Sequence, residues 1–488
     1  MRAAEYLLSQ TKSNLPLVAI LAIPLVVMLG VAELWTQEGR FGLICQQMQR
    51  SGDYLHPSLL TTPYYGKPLL SYWLMLSLAW VTGSLSELAL RLPSAAAGLL
   101  SIWCTMRIGQ RLFDTATGRI AGAALATSFM FVFWSRVASA DMLQVGGMTA
   151  AVCWYVEHRE RSDWRSYLGF FAILVTASLL KSPAAMVMCG LVIAPDLLRE
   201  RRWLQHWNVP CLVIGCCAVA SFLAPFMLAQ MTAVVGQEQA SLWTLFRENV
   251  TRYFAPFDHN GPVWLYLVQL PVYLLPWSLW LPWLARRTWL HRHSLTKSAR
   301  WLLWAFALVF AFLTGCGSRR SYYVLPLLPI ACLQLAHGWQ SLASAQHQRR
   351  LLISLASIWA LLLLWFGVEV PIGNSLHTTR REFAELVRHE ASLRADWQQW
   401  RVLSFDAVPA ASFYLLPAIE AEVVDAEAGE PSTGDRLRNA LTNYPHTLII
   451  SRRRHLARLQ AIMPKAALLE QPPHKFASSN DLLIALVP

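Results

Sequence analysis

Apolar segments of membrane-spanning length recur along the first 370 residues of this chain. A transmembrane helix needs about 20 predominantly apolar residues. Such runs lie near residues 16–34, 92–107, 120–137, 142–157, 166–180, 182–198, 208–230, 262–285, 301–316, 322–340 and 351–370. Charged residues make up only 14% of the 488 positions, whereas an average soluble domain has about 25%. The sequence therefore predicts a mainly α, polytopic transmembrane helix bundle of about 11 to 13 helices over residues 1–370.

The segment at 69–83, LLSYWLMLSLAWVTG, decides the topology because it is short and each added span moves all later loops to the other side. Cytoplasmic loops are enriched in Lys and Arg. If the N-terminus is cytoplasmic and 69–83 is re-entrant or interfacial, five basic loops face the cytoplasm: RIGQRLFDTATGR, EHRERSDWR, LLRERRW, ARRTWLHRHSLTKSAR and QHQRR. We therefore expect an odd number of spans, about 11. These loops also account for the formal charge of +12, so no nucleic-acid partner is expected.

The composition changes after residue 370. The segment HTTRREFAELVRHEASLRADW has helical spacing, RVLSFD predicts a short strand, and a helix-strand pattern continues through HTLIIS, RRRHLARLQAIM and DLLIALV. The pattern predicts a small soluble α/β domain over residues 371–488. With an odd number of spans this domain lies outside the cytoplasm.

The same topology places a set of polar residues at the outer membrane edge. Charged residues near a bilayer are costly and are therefore often functional. The set comprises Glu38, Arg40, Lys67, Asp141, Lys181, Asp258, His259, Arg319 and Arg320. Because the charges alternate in sign and lie at helix ends, they predict an extracytoplasmic polar cavity.

Taken one at a time, these residues leave alternatives open. Lys67, in PYYGKPLLSYW, is either a snorkelling anchor or a cationic contact for a phosphate. Asp141 begins a membrane helix, so it is either a favourable charge at the helix N-terminus or a general base. His259 is a base, a ligand or a simple loop histidine. Two arginines, Arg319 and Arg320, precede two tyrosines in SRRSYYVLPLLP and are suited to clamp an anionic head group.

In order along the chain, QEGRF, SGDYLHP, PYYGKPLLSYW, LALRLPSAAAGLL, SADMLQ, LLKSPAA, the 249–264 loop and SRRSYYVLPLLP form a recognisable series. The series resembles the bacterial aminoarabinose transferase group of GT-C glycosyltransferases, relatives of the protein O-mannosyltransferases. The resemblance covers about residues 16–370. It implies inverting transfer of a sugar from a polyprenyl-phosphate carrier at the outer face of the bacterial inner membrane. Lipid A or lipopolysaccharide, another envelope glycan, or a protein is the implied acceptor.

The resemblance also implies roles for individual residues. Asp141 and Glu38 match acidic positions of the family and are the candidate catalytic bases. The implied contacts of the carrier phosphate are Arg40, Lys67, Arg319, Arg320 and Tyr323. Gln37, His259 and Tyr65 are candidate acceptor or accessory residues.

Two positions depart from the family pattern. Gln37 stands where the family has an Asp, and an amide cannot act as a base. Gly66, directly before Lys67, stands where the family frequently has a Glu that can help to hold a metal. The nine cysteines contain no CxxC pattern either. We therefore expect no bound metal ion and no cofactor.

Two further functions fit the same polar cavity. A membrane transporter of lipids or glycans would use it to bind its cargo, although no inverted repeat is evident. A non-catalytic relative would bind the carrier lipid without transferring the sugar, which the substitutions at Gln37 and Gly66 leave open.

Overall fold

The computed structural model describes residues 14–60, 62–233, 242–257, 259–342, 345–375, 379–405, 409–415, 419–424, 437, 439, 441–444, 446–472 and 482–488. The chain divides into two compact units. The first unit comprises Met1–Leu29, Gly66–Ser71 and Arg91–Gly367. The second unit comprises Gly30–Tyr65, Tyr72–Leu90 and Val368–Pro488.

The described residues are mostly helical. The helices up to residue 231 are α1 Leu15–Val26, α2 Thr36–Ser51, α3 Leu70–Thr82, α4 Glu87–Leu112, α5 Thr115–Ala126, α6 Phe129–Ser135, α7 Ala140–His158, α8 Trp164–Leu180, α9 Ala184–Arg199, α10 Trp203–His206 and α11 Val209–Met231. Those that follow are α12 Leu242–Phe246, α13 Arg252–Phe254, α14 Leu265–Tyr273, α15 Leu281–Leu290, α16 Lys297–Gly315, α17 Leu328–Leu342, α18 Ala345–Leu364, α19 Val370–Ser375, α20 Arg380–Ser392, α21 Pro409–Leu415 and α22 Leu456–Ile462.

Several helices of the first unit are capped at their N-termini by a polar side chain of the preceding loop. Asp114 accepts a hydrogen bond from the backbone N–H of Thr117 at 2.8 Å and so caps α5. Asp163, Asn208 and Thr296 cap α8, α11 and α16 in the same way. Because the first N–H groups of a helix have no partner within it, such caps stabilise the start of a helix by about 1 kcal/mol.

Four helical segments in the described part of the chain are long and apolar enough to cross a membrane: Glu87–Leu112, Val209–Met231, Lys297–Gly315 and Gln346–Ile372. The count rises to six if each of two bent helix pairs, 115–135 and 265–290, is one span. The predicted number is higher because several predicted runs lie on shorter helices, such as α1 and α8. The chain is a multi-pass membrane protein, and 11 to 13 spans stay a prediction.

The predicted topology depends on the segment at 69–83, which forms α3. At about 1.5 Å per residue, its 13 residues extend over roughly 20 Å. The hydrocarbon core of a bilayer is about 30 Å thick. The length of α3 therefore agrees with the predicted re-entrant or interfacial placement, which stays a prediction.

The second unit contains the predicted α/β domain. Its five-stranded sheet has the order β4-β3-β5-β7-β6. Its strands are β3 Arg401–Phe405, β4 Ile419–Val424, β5 Thr447–Arg452, β6 Ala467–Glu470 and β7 Leu483–Val487. A separate antiparallel pair, β1 Ser58–Leu59 and β2 Thr62–Pro63, lies earlier in the chain. β3 is parallel to β4 and β5, while β7 is antiparallel to β5 and β6. Leu403, Phe405, Ile449 and Ile484 form its core with Leu459 of α22.

The second unit also includes segments that the sequence placed in the membrane domain. Arg380 Nη1 lies 2.7 Å from Glu33 Oε1, and Tyr414 donates a hydrogen bond to Glu87 at 2.7 Å. These contacts join residues 30–65 and 72–90 to the C-terminal segment. The predicted mainly α fold with a small α/β portion is confirmed, and the structure adds these two segments to the portion predicted at 371–488.

Candidate active site

Three charged side chains approach one another in the first unit. Asp141 lies in the first turn of α7, and Lys181 follows the last residue of α8. Lys181 Nζ is 2.6 Å from Asp141 Oδ1, and both side chains are largely buried. Lys67 is close enough to interact electrostatically with both. Two ammonium groups and one carboxylate leave a net positive site that is suited to an anion.

An apolar cluster explains how residues so distant in sequence meet. Ala97, Leu143 and Leu180 are buried together, and Leu70 packs against them. Leu143 is two residues after Asp141, Leu180 directly precedes Lys181, and Leu70 is three residues after Lys67. Burial of these side chains therefore holds the three charged groups at one place.

Lys67 has an unusual electrostatic environment. Burial and the neighbouring Lys181 ammonium lower the pKa of Lys67 to about 8, and the Asp141 carboxylate opposes this shift only in part. The charged form of Lys67 is therefore held at a cost that a bound anion would relieve.

Aromatic side chains border the same cluster. Lys181 Nζ lies 4.8 Å from the centre of the Tyr323 ring, within the range of a cation–π contact. Tyr322 packs against Trp134 with ring centres 4.6 Å apart. Both tyrosines belong to the 3-10 helix Ser321–Leu327, which leads into α17. Tyr323, predicted from the sequence, is therefore brought together with Asp141.

Arg320 and His259 contact each other. The Arg320 Nη2 group meets His259 Nε2, and Arg320 Nη1 donates to the Tyr322 hydroxyl at 2.8 Å. Since a guanidinium is only a donor, His259 Nε2 is the acceptor in this hydrogen bond. The Arg320 Nε group is buried and has no hydrogen-bond partner in the described residues. Arg320 therefore retains a donor that a ligand can satisfy.

Arg319 has a different environment. Its Nε and Nη2 groups donate to the Thr314 carbonyl at 3.1 and 2.9 Å, and its Nη1 group donates to the Gly261 carbonyl at 2.7 Å. The Arg319 backbone N–H also donates to the His259 carbonyl at 2.9 Å. Its guanidinium thus connects the loop around 259–261 to the end of α16. Contact with the carrier phosphate, implied by the resemblance, stays a prediction.

We expect Arg319→Lys to lower the free energy of unfolding by about 2 kcal/mol, because hydrogen bonds to charged groups contribute about 1.5–3 kcal/mol. A single ammonium cannot reproduce the planar fork that contacts both carbonyls. Thermal unfolding and limited proteolysis near residue 260 measure this loss. Arg292→Lys is the control, since Arg292 is exposed and contacts only the nearby Trp289, through its carbonyl and its ring, among the contacts of the described residues. Unchanged stability with weakened binding of the carrier would contradict the structural role.

The remaining predicted residues lie in the second unit. Glu38, which is 1% exposed, accepts a hydrogen bond from the Trp35 backbone N–H at 2.8 Å and so stabilises the start of α2. Gln37 is half-buried beside it. Arg40 Nη1 donates to the Tyr64 hydroxyl at 3.2 Å, while its buried Nε has no partner in the part of the chain that the structure describes.

Tyr65 is the last predicted residue of this unit. Burial and the Asp53 carboxylate raise the pKa of Tyr65 to about 12, so its hydroxyl stays protonated and able to donate. Asp258, part of the predicted polar set, lies outside the described residues.

The structure shows one residue whose role the sequence did not assign. Lys181 belonged to the predicted polar set, yet its pairing with Asp141 is a contact between two helices that no spacing in the sequence reveals. A signal was present in LLKSPAA, where one lysine interrupts an otherwise apolar run.

Side chains suited to bind a metal do not gather in the described residues. No group of three or more His, Cys, Asp and Glu side chains comes together within those ranges. Gly66 offers no side-chain ligand atom, and the Nε2 atom of His259 is engaged by Arg320. The residues present therefore do not fit a metal centre of the kind that a Glu at position 66 would help to form.

Comparison with known proteins gives matches over most of the chain. The family model described as dolichyl-phosphate-mannose-protein mannosyltransferase matches residues 66–236. Undecaprenyl phosphate-alpha-4-amino-4-deoxy-L-arabinose arabinosyl transferase 1 of Pseudomonas fluorescens is 27% identical over 405 residues, which are 79% of this chain and 69% of that protein. The corresponding transferase of Pseudomonas aeruginosa PAO1 is 29% identical over 62% of this chain and 55% of its own length.

Solved structures show the same fold. ArnT from Cupriavidus metallidurans, crystallised with undecaprenyl phosphate, has a TM-score of 0.77 at 16% identity, with 97% of both chains covered. The oligosaccharyltransferase of Archaeoglobus fulgidus has a TM-score of 0.52 at 12% identity and covers 93% of this chain and 71% of its own. At these identities the likeness concerns the fold.

Proposed function

We propose a function from the premise that this chain is an aminoarabinose transferase-like member of the GT-C glycosyltransferase group. The protein transfers a monosaccharide from a polyprenyl-phosphate carrier to lipid A or another glycan of the cell envelope. The relatives are named for 4-amino-4-deoxy-L-arabinose on undecaprenyl phosphate, so this donor is the first to test. The matched region is 69% of one relative's length and 55% of the other's.

The observation that carries the proposal is the Asp141 carboxylate held 2.6 Å from the Lys181 ammonium, with Lys67 near enough to interact electrostatically with both. Inverting transfer forms a bond from the acceptor oxygen to the anomeric carbon while the bond from that carbon to the phosphate oxygen breaks. The bonding electrons leave with the phosphate, and a hydroxyl acceptor loses its proton. One carboxylate and two cations at one place supply both the proton acceptor and the charge stabilisation.

Asp141 is the preferred general base of the two candidates. Glu38 already accepts the Trp35 backbone N–H, whereas Asp141 is positioned by a flexible side chain, that of Lys181, which can turn to a phosphate. Lys67 and Lys181 then neutralise the charge that grows on the departing phosphate. Arg320, whose buried Nε group lacks a partner among the described residues, is proposed as a further donor to the carrier. The carrier contact of Arg40 that the resemblance implies stays a prediction.

The proposed function includes an orientation in the membrane. The active site and the α/β portion face the periplasm, and the basic loops around 159–165, 199–202 and 286–300 face the cytoplasm. Labelling of single cysteines by a membrane-impermeant reagent tests the orientation. In intact cells we expect cysteines near residue 260 to be labelled and cysteines near residue 200 to be protected. The reverse pattern would exclude the proposed orientation.

The experiment for the activity uses the purified full chain with undecaprenyl-phosphate aminoarabinose and lipid A, followed by mass spectrometry of both lipids. We expect glycosylated lipid A together with free undecaprenyl phosphate. Carrier binding without product, for this and other polyprenyl-phosphate sugars, would identify a non-catalytic carrier binder. Uptake of substrate into vesicles without covalent product would identify a transporter.

A second candidate function is protein O-glycosylation with the same donor class. It is favoured by the match of residues 66–236 to the protein mannosyltransferase model. Peptides rich in serine and threonine, offered in place of lipid A, separate the two. Peptide product in the absence of lipid A product would replace the first proposal.

We expect binding of undecaprenyl phosphate to weaken as the pH rises above about 8, because the pKa of Lys67 is lowered to about 8 and its neutral form cannot attract the phosphate. The second pKa of a phosphate monoester is about 6, so the ligand's charge hardly changes in this range. The affinity should fall by up to about tenfold per pH unit. Binding titrations between pH 7 and 9.5 measure it.

Lys67→Arg should remove this pH dependence, since a guanidinium stays charged throughout. Lys465→Arg, at an exposed lysine of the second unit, should leave the profile unchanged. An identical profile for wild type and Lys67→Arg would show that another group titrates.

A further inference from the structure

A second polar cavity of the first unit lies at the C-terminal ends of α7 and α9, the helices that begin close to Asp141 and Lys181 in the sequence. α7 runs from Ala140 to His158, and α9 begins at Ala184 and ends at Arg199. At 1.5 Å per residue, Arg159 is about 27 Å from Asp141 along the axis of α7. The hydrocarbon core of a bilayer is about 30 Å thick. The proposed topology therefore places this cavity at the cytoplasmic membrane surface, opposite the candidate active site.

Basic side chains dominate this cavity, which has a volume of about 470 Å³. Its walls come from the ends of α7 and α9 and from the start of α16. The basic residues are Arg159, Arg199, Arg202, Lys297 and Arg300, and the acidic residues are Asp196 and Glu200. Three of the five basic loops that the sequence predicts in the cytoplasm thus contribute to one concave site.

The two carboxylates of the cavity are already engaged. Asp196 lies 3.2 Å from Arg159 Nη1 and 3.3 Å from Arg202 Nε. The Tyr155 hydroxyl also donates to Asp196, at 2.8 Å. Lys297 Nζ lies 2.9 Å from Glu200. No further negative charge of the cavity is available for the other two arginines.

Those two arginines have no carboxylate within salt-bridge distance in the described parts of the chain. Arg300 Nη2 donates to the Leu295 carbonyl at 3.0 Å, and its Nε group is buried without a hydrogen-bond partner in those parts. Arg199 is exposed at the rim. A buried donor without a partner costs about 1–3 kcal/mol, more for a charged group, and an anionic ligand would remove that cost.

Exposed apolar side chains lie next to the arginines of the rim. Leu198 adjoins Arg199 and is 66% exposed, and Trp203 adjoins Arg202 and is 46% exposed. Leu204 and Trp207 of the same segment are also exposed. Tryptophan is enriched at membrane interfaces, and acyl chains would cover such a surface. A soluble phosphate would leave it in water.

We propose that this cavity binds the head group of an anionic phospholipid, with the phosphate held by Arg199 and Arg300 and the acyl chains along Leu198 and Trp203. Basic pockets between membrane helices on the cytoplasmic side commonly recognise such head groups. The site shares no residue with the proposed active site, so it does not depend on the proposed function.

The test uses the delipidated full-length protein and native mass spectrometry with phosphatidylglycerol and phosphatidylcholine of equal chain length. Wild type is expected to bind phosphatidylglycerol at least tenfold more tightly. The double variant Arg199→Gln with Arg300→Gln should lose this preference. The control, Arg165→Gln with Arg286→Gln, removes two exposed arginines outside the cavity lining and should keep it.

Equal binding of the two lipids by wild type, or an unchanged preference in the Arg199/Arg300 variant, would overturn the proposal. If that variant fails to fold, Lys297→Gln replaces it, because Lys297 is 82% exposed at the rim and its loss should still reduce the preference severalfold. Inorganic phosphate provides the last arm. If millimolar phosphate displaced bound phosphatidylglycerol as effectively as dioctanoyl phosphatidylglycerol does, the cavity would be a site for a free anion. That result would refute the proposed lipid site.

Discussion

Replacing Asp141 with Asn is expected to abolish sugar transfer while the carrier binds at least as tightly as before. As a general base, the carboxylate should contribute about 10²- to 10⁴-fold to kcat, and an amide cannot accept the acceptor's proton. The same change removes the one negative charge paired with Lys181. Undecaprenyl phosphate should therefore meet a more positive site, and its Kd should stay equal or fall.

The stability of the Asp141→Asn variant distinguishes this role from a purely structural one. Breaking a buried ion pair costs about 3–5 kcal/mol because the remaining charge is uncompensated. An anionic ligand should restore much of that loss, so undecaprenyl phosphate should raise the Tm of the variant more than that of wild type.

Two outcomes would contradict the assignment of Asp141. Near-normal kcat would show that another group takes the proton. Loss of activity together with loss of carrier binding would show that the carboxylate only organises the site. Asp114→Asn is the matched control, because Asp114 is also an aspartate at a helix start and lies outside the proposed site.

Replacing Gly39 with Ala is expected to cost about 3 kcal/mol of stability, near the upper end of the usual range for overpacking. A Cβ at this position of α2 would lie 2.3 Å from the Ala410 Cα, 2.4 Å from its backbone nitrogen and 2.8 Å from its Cβ. Backbone atoms cannot rotate away as a side chain can, so α2 and α21 would have to separate. The temperature of thermal unfolding and the transfer activity should both fall.

The geometry also predicts that a second substitution at Ala410 does not restore the stability lost in Gly39→Ala. Adding Ala410→Gly removes only one of the three close atoms, so the double variant should stay destabilised. Gly190→Ala in α9 is the control, because nothing lies within 4 Å of a Cβ there and Ala favours a helix over Gly by up to about 1 kcal/mol. Wild-type stability of Gly39→Ala would mean that α2 and α21 are not tightly joined.

Local patterns were sufficient to predict much of the α/β portion. RVLSFD contains β3, HTLIIS contains most of β5, and RRRHLARLQAIM contains α22. In each segment the apolar residues recur with a clear period, which predicts its secondary structure and its buried face. The grouping of residues 30–65 with this portion could not be predicted in the same way, because it rests on contacts such as Glu33 with Arg380 between distant parts of the chain.

The candidate site divides along similar lines. Motif order identified Lys67, Asp141 and Tyr323 as candidates, and in the structure each interacts with Lys181. A motif alone does not distinguish a side chain that binds the ligand from one that holds the backbone in place. Arg319 illustrates this, because its guanidinium makes three hydrogen bonds to backbone carbonyls. The capping contact of Glu38 was equally hidden, since the residue before α2 is Trp35 and not one of the usual capping residues.

The composition of the second unit has a consequence for biogenesis. Gly39 packs on Ala410, so the first large loop leaves the ribosome hundreds of residues before its partner is made. Until then Gly39 and Gly42 lack the neighbours Ala410 and Phe413 against which they pack. The unit can be completed only after the last membrane segment is inserted, which makes its assembly a late, post-translational step. A chain stalled before residue 410 should present that loop to proteases of the compartment into which it is released.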